Sequence, residues 1–189
     1  MKQWPVPQSY SKQIPEKGEP GCFWEDRDDR RHCGVDIYAP EGSKVLAIES
    51  GYIIDAGVFT DPENSSFWKK TYYIVIKTKE KVMYKYAELQ EIVVTIGDYV
   101  ESGELVGKIG SALNADVIGP DSPFYIRELV HKSNPSMLHL ELYKAPIIEV
   151  KPYQSGNYFG KEKPSSLIDP TYFLNGKLKV ADPSSHLKN

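Results

Sequence analysis

Apolar residues in this chain fall in short runs separated by turn formers, and no stretch sustains the spacing of a long amphipathic helix. Lys44-Val45-Leu46-Ala47-Ile48, Gly51-Tyr52-Ile53-Ile54, Tyr72-Tyr73-Ile74-Val75-Ile76 and Lys81-Val82-Met83-Tyr84-Lys85-Tyr86 are rich in β-branched and aromatic residues. Such side chains pack well on a pleated, half-buried surface, so each run predicts a strand. Short helical turns are expected over 122–132 and after Pro170. The outline is an all-β domain of short antiparallel strands with irregular arms and one or two short helices.

Around this β region the composition shifts. Residues 1–29 mix proline, charge and aromatics and read as an irregular arm packed around the domain. The β domain is expected over 30–182, with a long inserted loop over 113–136, and 183–189 reads as a mobile tail. Between 143 and 164, Tyr143, Tyr153, Tyr158 and Phe159 stand among Pro and Gly. Their flat faces with polar tips suit either a wall that grips a peptide or sugar, or peripheral packing.

At 189 residues and 40% hydrophobic, the chain can bury one substantial core without a metal or disulfide to hold it. A net charge of −3 and the lack of any Lys/Arg-rich run argue against nucleic-acid binding. The charged stretch Glu25-Asp26-Arg27-Asp28-Asp29-Arg30-Arg31 mixes both signs; it reads as a solvated loop, or as arginines that meet a carboxylate-bearing peptide. No apolar run approaches the ~18 residues that span a bilayer. Met1-Lys2-Gln3-Trp4-Pro5-Val6-Pro7 lacks the apolar core of a secretory signal, which fits a cytoplasmic chain or a mature fragment. Cys22 and Cys33 close a small loop only in an oxidising compartment, and Cys33 should turn away from its neighbour His32 along a strand.

Two motifs carry chemistry: Arg31-His32-Cys33-Gly34-Val35-Asp36-Ile37 and Met137-Leu138-His139-Leu140-Glu141. Side chains an even number of residues apart share a strand face, so His32 and Asp36 can aim at one point while His139 approaches from a neighbouring strand. Two nitrogens and one oxygen suit zinc, and three protein ligands leave the fourth tetrahedral position open for water. The chemistry this implies is metal-assisted hydrolysis.

The segment from Arg31 through Tyr38-Ala39-Pro40-Glu41-Gly42-Ser43-Lys44-Val45 resembles the lysostaphin-type (LytM-like) zinc metallopeptidases, which cut peptides of bacterial cell walls. The resemblance continues through Tyr86-Ala87-Glu88-Leu89, Gly97-Asp98-Tyr99-Val100, Gly107-Lys108-Ile109-Gly110 and Leu138-His139-Leu140-Glu141-Leu142. It implies a barrel-sandwich fold with a duplicated hybrid motif, zinc held by His32, Asp36 and His139, metal-activated water attacking a peptide bond of peptidoglycan, and an address at the envelope. Ile96-Gly97-Asp98-Tyr99-Val100 through Gly107 also resembles the turn of biotinyl and lipoyl carrier domains, but no modifiable Met-Lys-Met or Asp-Lys pair is present. That likeness concerns architecture alone.

The chain departs from the family pattern at its two further histidines, which become Glu88 and Met137. A transition-state acid or base is worth about 10² to 10⁴ in rate, so each lost helper costs around 3 to 6 kcal/mol unless it is replaced. Met137 cannot carry a proton and offers a substrate only a dry wall. Glu88 is a possible general base, or a solvated strand end. His131, with Glu128, is a weaker candidate from the inserted loop, and Tyr143 a candidate contact for substrate. Two functions follow: a zinc endopeptidase rescued by Glu88, or a catalytically degenerate, zinc-stabilised module that binds cell wall or a protein partner.

Overall fold

The computed structural model describes residues 2–122, 127, 136–145, 151–175 and 177–179. The strands are β1 (Lys2–Gln3), β2 (Arg31–His32), β3 (Val35–Tyr38), β4 (Lys44–Leu46), β5 (Gly51–Thr60), β6 (Thr71–Thr78), β7 (Val82–Ile92), β8 (Tyr99–Val100), β9 (Leu105–Ile109), β10 (Met137–Lys144), β11 (Tyr153–Gln154), β12 (Asn157–Tyr158), β13 (Leu167–Ile168) and β14 (Leu178–Lys179), and the four predicted runs fall on β4, β5, β6 and β7. Nine of them make one antiparallel sheet in the order β13-β10-β7-β6-β5-β8, with β3 joined to β10 and β9 bridging β4 and β7. Two expectations change. At 10 and 11 residues β5 and β7 are long, and β1 pairs with β14 in parallel.

Alternation along the central strands sorts the residues onto two faces. Val35 and Ile37 of β3, Ile74 and Ile76 of β6, Tyr84 and Tyr86 of β7, and Leu138, Leu140 and Leu142 of β10 fill the main core. Each such side chain contributes roughly 1.5–3 kcal/mol by leaving water. The interleaved residues Asp36 and Tyr38, Lys85 and Ala87, and Met137, His139, Glu141 and Tyr143 therefore occupy the opposite face. Register then aligns them across strands: His139 stands opposite Asp36 on one side and Ala87 on the other, and Glu141 opposite Lys85.

The amino-terminal arm is built into this body. Trp4 and Val6 are fully buried in the main core, and the Trp4 indole N–H is shared between the Val6 carbonyl and Ser9 Oγ. The helix expected after residue 170 is α1 (Pro170–Leu174), capped by Asp169, whose carboxylate accepts from the Thr171 N–H at 2.9 Å. Most of the helix expected over 122–132, much of the loop over 113–136, and the tail over 183–189 lie outside the described residues. Among the described residues, no helix is long and apolar enough to cross a membrane.

Candidate metal centre

Three short elements bring His32, Asp36 and His139 together. β2 ends in His32, Cys33 and Gly34 make the short passage to β3, Asp36 is the second residue of β3, and β10 lies against β3 with His139 directly opposite Asp36. His32 Nε2 lies 3.0 Å from His139 Nδ1, His139 Nδ1 lies 2.9 Å from Asp36 Oδ1, and His32 Nε2 lies 3.2 Å from Asp36 Oδ1. A tetrahedral zinc with bonds near 2.1 Å has edges of roughly 3.4 Å, so this triangle is close to the size the ion needs.

The tautomers fit as well. His32 Nδ1 lies 2.8 Å from the Cys22 carbonyl, which can only accept, so Nδ1 carries the hydrogen and Nε2 presents a lone pair. His139 Nε2 lies 2.8 Å from Glu141 Oε1 and donates to it, which bares Nδ1. Three acceptors thus face one another, an arrangement that repels unless a cation or a proton lies between them. Without a metal, a proton serves. Burial alone would lower the His139 pKa, yet hydrogen bonds to Asp36 and Glu141 raise it to about 9. Burial alone would raise Asp36, but His32 and His139 hold it well below the ordinary carboxylate value.

Behind His139 is a closed polar network. Glu141 is fully buried; Oε1 also accepts from the Tyr153 hydroxyl at 2.6 Å, and Oε2 accepts from the Tyr143 hydroxyl. Burial pushes Glu141 up, but Lys85 and His139 pull it down to about 2, so it stays ionised. Lys85 Nζ is 3.9 Å from Glu141, donates to the Tyr153 hydroxyl at 2.6 Å, and sits against the rings of Phe59, Tyr73 and Tyr153. Phe59 stacks on the His139 imidazole with ring centroids 5.6 Å apart. Tyr143, which the sequence offered either as a contact for substrate or as packing, is buried and supports Glu141, because alternation along β10 puts it on the His139 face, paired with Leu167 of β13.

The arm and a late hairpin close the site from outside the sheet. The Gly21 carbonyl accepts the Asp36 N–H at 2.9 Å, and Gly21 has the left-handed φ of +78°. A Cβ there would lie 2.7 Å from Asp36 Cβ. The hairpin of β11 and β12 pairs Asn157 with His32, and Gly156 sets its Cα against the His139 ring. Arg27, read from sequence as part of a solvated loop, donates to Glu25, Asn157 and Asp36 Oδ2. The three candidate ligands are consequently only 1–4% exposed. Cys22 and Cys33 are free thiols, and Cys33 packs with Val75, Met83, Tyr143 and Leu167 rather than joining the donor set.

Glu88 is half-buried. Residues 87 and 88 of β7 span one position of β6, between the Ile74↔Tyr86 and Tyr72↔Leu89 pairs. This is a β-bulge at the point where β7 leaves β10 for β9. There Glu88 adopts φ +62°, a left-handed conformation unusual for a residue with a side chain. Its Oε2 is buried without a hydrogen-bond partner among the described residues. Burial and repulsion from Asp36 raise its pKa to about 8 against the opposing pull of His139 and Arg27. Half-buried Met137 pairs with Tyr38, beside the Asp36–His139 pair. His131 and Glu128 lie outside the described residues. The sequence reading missed Arg27, Lys85, Glu141 and Tyr153; only Glu141 had a local signal, two residues from His139 on one strand.

The family model of peptidase family M23 matches residues 30–146, more than half of the chain, and the chain belongs to that family. Among solved structures, the catalytic domain of the antimicrobial peptidase lysostaphin from Staphylococcus simulans is 21% identical, with a TM-score of 0.52 over 82% of this chain and 90% of that one. The structure of LytU is 18% identical, with a TM-score of 0.50 over 86% of this chain and 83% of that one. At such identities the likeness is one of fold, the all-β peptidase architecture. No curated protein matches the chain.

Proposed function

We propose that this chain is a zinc-dependent endopeptidase of cell-wall peptide, in which His32, Asp36 and His139 hold the metal and Glu88 acts as the general base. The observation that carries this reading is the convergence of three lone pairs whose tautomers are fixed by Cys22 and Glu141. Zinc held by these three residues would supply Lewis acidity toward a peptide carbonyl and toward the attacking water. Glu88 takes the proton of the attacking water and returns it to the departing amine. Burial favours an uncharged Glu88 carboxyl, which strengthens it as a proton acceptor, and the bulge at residues 87 and 88 leaves it within electrostatic reach of Asp36 and His139. Glu141 holds the His139 ring in the metal-binding tautomer. Membership of the M23 family supports a peptide or peptidoglycan substrate.

The second reading is a binding or scaffolding module for wall peptide or a protein partner, with zinc as a structural element. It draws on the near-complete burial of the ligands and on Met137 beside them. Turnover of purified cell wall by zinc-loaded protein separates the two. The expected result is release of soluble peptide by the native chain, a fall in kcat of about 10² to 10⁴ in Glu88→Gln with zinc content unchanged, and loss of both zinc and turnover in His139→Ala. Zinc-loaded native protein that releases nothing from any wall preparation rejects the endopeptidase.

A further inference from the structure

Asp36 has two oxygens and the candidate centre uses one. Oδ1 faces His32 and His139 at 3.2 and 2.9 Å, whereas Oδ2 faces Arg27 Nη2 at 3.4 Å. Arg27 comes from residues outside the segment that matches the family, and it is held from three sides. Its Nε donates to Glu25 at 3.0 Å, its Nη1 to Asn157 Oδ1 at 3.2 Å, and its backbone N–H to the Arg30 carbonyl at 3.0 Å. Asn157 is the residue paired with His32 across β2 and β12. The guanidinium therefore bridges the arm, the ligand strand and the hairpin in one plane. Only a fork of fixed N–H groups can do this; a lysine ammonium is a single point of charge.

A carboxylate beside a metal can bind through one oxygen or both, and chelation by both fills a position that a catalytic site keeps open. We propose that Arg27 is a positioning residue that occupies Asp36 Oδ2 and commits Asp36 to the metal through Oδ1 alone. The inference rests on the reading of His32, Asp36 and His139 as a metal centre and assigns the arm a part in it. Gly21 reinforces the arrangement: a Cβ at that position would lie 3.1 Å from Oδ2, so its absence leaves the space beside this oxygen open.

The test is cobalt substitution of the full chain, with metal affinity measured by competition against a chromophoric chelator and coordination read from the visible spectrum. Native protein is expected to give the intense bands of four-coordinate cobalt. Arg27→Met is expected to bind roughly 10- to 100-fold more weakly, with bands weakened toward five-coordination, and Arg27→Lys to recover the charge without recovering the spectrum. Asn157→Ala, which loosens the fork from a distance, is expected to move both readouts in the same direction and serves if Arg27→Met does not fold. Folded variants that keep the native affinity and spectrum overturn the inference and leave the metal reading intact. A native chain that takes up neither cobalt nor zinc overturns both.

Discussion

Glu141 is the residue on which His139 depends, since it accepts the Nε2 hydrogen and is itself held by Tyr143, Tyr153 and Lys85. Glu141→Gln keeps the size but weakens the acceptor, and the expected outcome is a roughly 10- to 100-fold loss of zinc affinity, read by chelator competition, with the far-UV circular dichroism unchanged. Glu88 makes a contrasting case. Its left-handed backbone and its buried oxygen, unpartnered among the described residues, both disfavour the folded state. Glu88→Gly should therefore raise the unfolding free energy by about 1 kcal/mol or more, measured by urea titration, while turnover falls. His32, Asp36 and His139 were legible because the motifs around them resemble those of a known family, although a two-residue break puts His32 on β2 and Asp36 on β3 rather than on one strand. Arg27 was not, because a mixed run of charges looks the same whether water or an aspartate meets it.

Among the elements, β7 and the β11–β12 hairpin shape the site. The strand character of β7 could be read from its β-branched and aromatic residues, but its bulge could not. A bulge arises where one strand must satisfy partners of different register, here β10, β6 and β9, and a local pattern holds no record of partners. The hairpin was legible only as a Pro, Gly and aromatic stretch with two possible uses. Gly156 joins it to the centre: at φ +80°, a Cβ would stand 2.7 Å from His139 Nε2. Gly156→Ala should destabilise the fold by about 1–3 kcal/mol and weaken zinc binding with it, since either the imidazole or the hairpin must move. A denaturant melt and a zinc titration on the same variant check both; native values in each would place the hairpin away from the ring.

For the whole molecule, the buried charges set how stability depends on pH. In the metal-free chain His139 is raised from 6.5 to about 9, so the stability its proton contributes is present below pH 6.5 and is lost as pH rises toward 9. Glu88, raised from 4.5 to about 8, adds a loss of the same sign over that lower window, because the unfolded chain ionises it first. Asp36 and Glu141 are depressed and act at the acid end, where their contribution disappears as pH falls below about 4.5 toward 2. The metal-free chain should thus lose melting temperature as pH rises from about 4.5 to 9, and saturating zinc should remove the His139 part of that slope, between about 6.5 and 9, because it takes the place of the proton. Parallel thermal melts across this range test it, and identical slopes with and without zinc would count against a metal at this position.

From the sequence alone came the all-β class, the family and the three donors at the candidate centre, since alternation, turn residues and motif spacing are properties of neighbours along the chain. Tertiary structure decided the rest. That Glu88 turns inward, that Tyr143 supports rather than receives, and that an arginine of the arm reaches Asp36 all depend on which strands lie side by side and in what register. Those pairings are settled by burial over the whole sheet, and no short segment carries them.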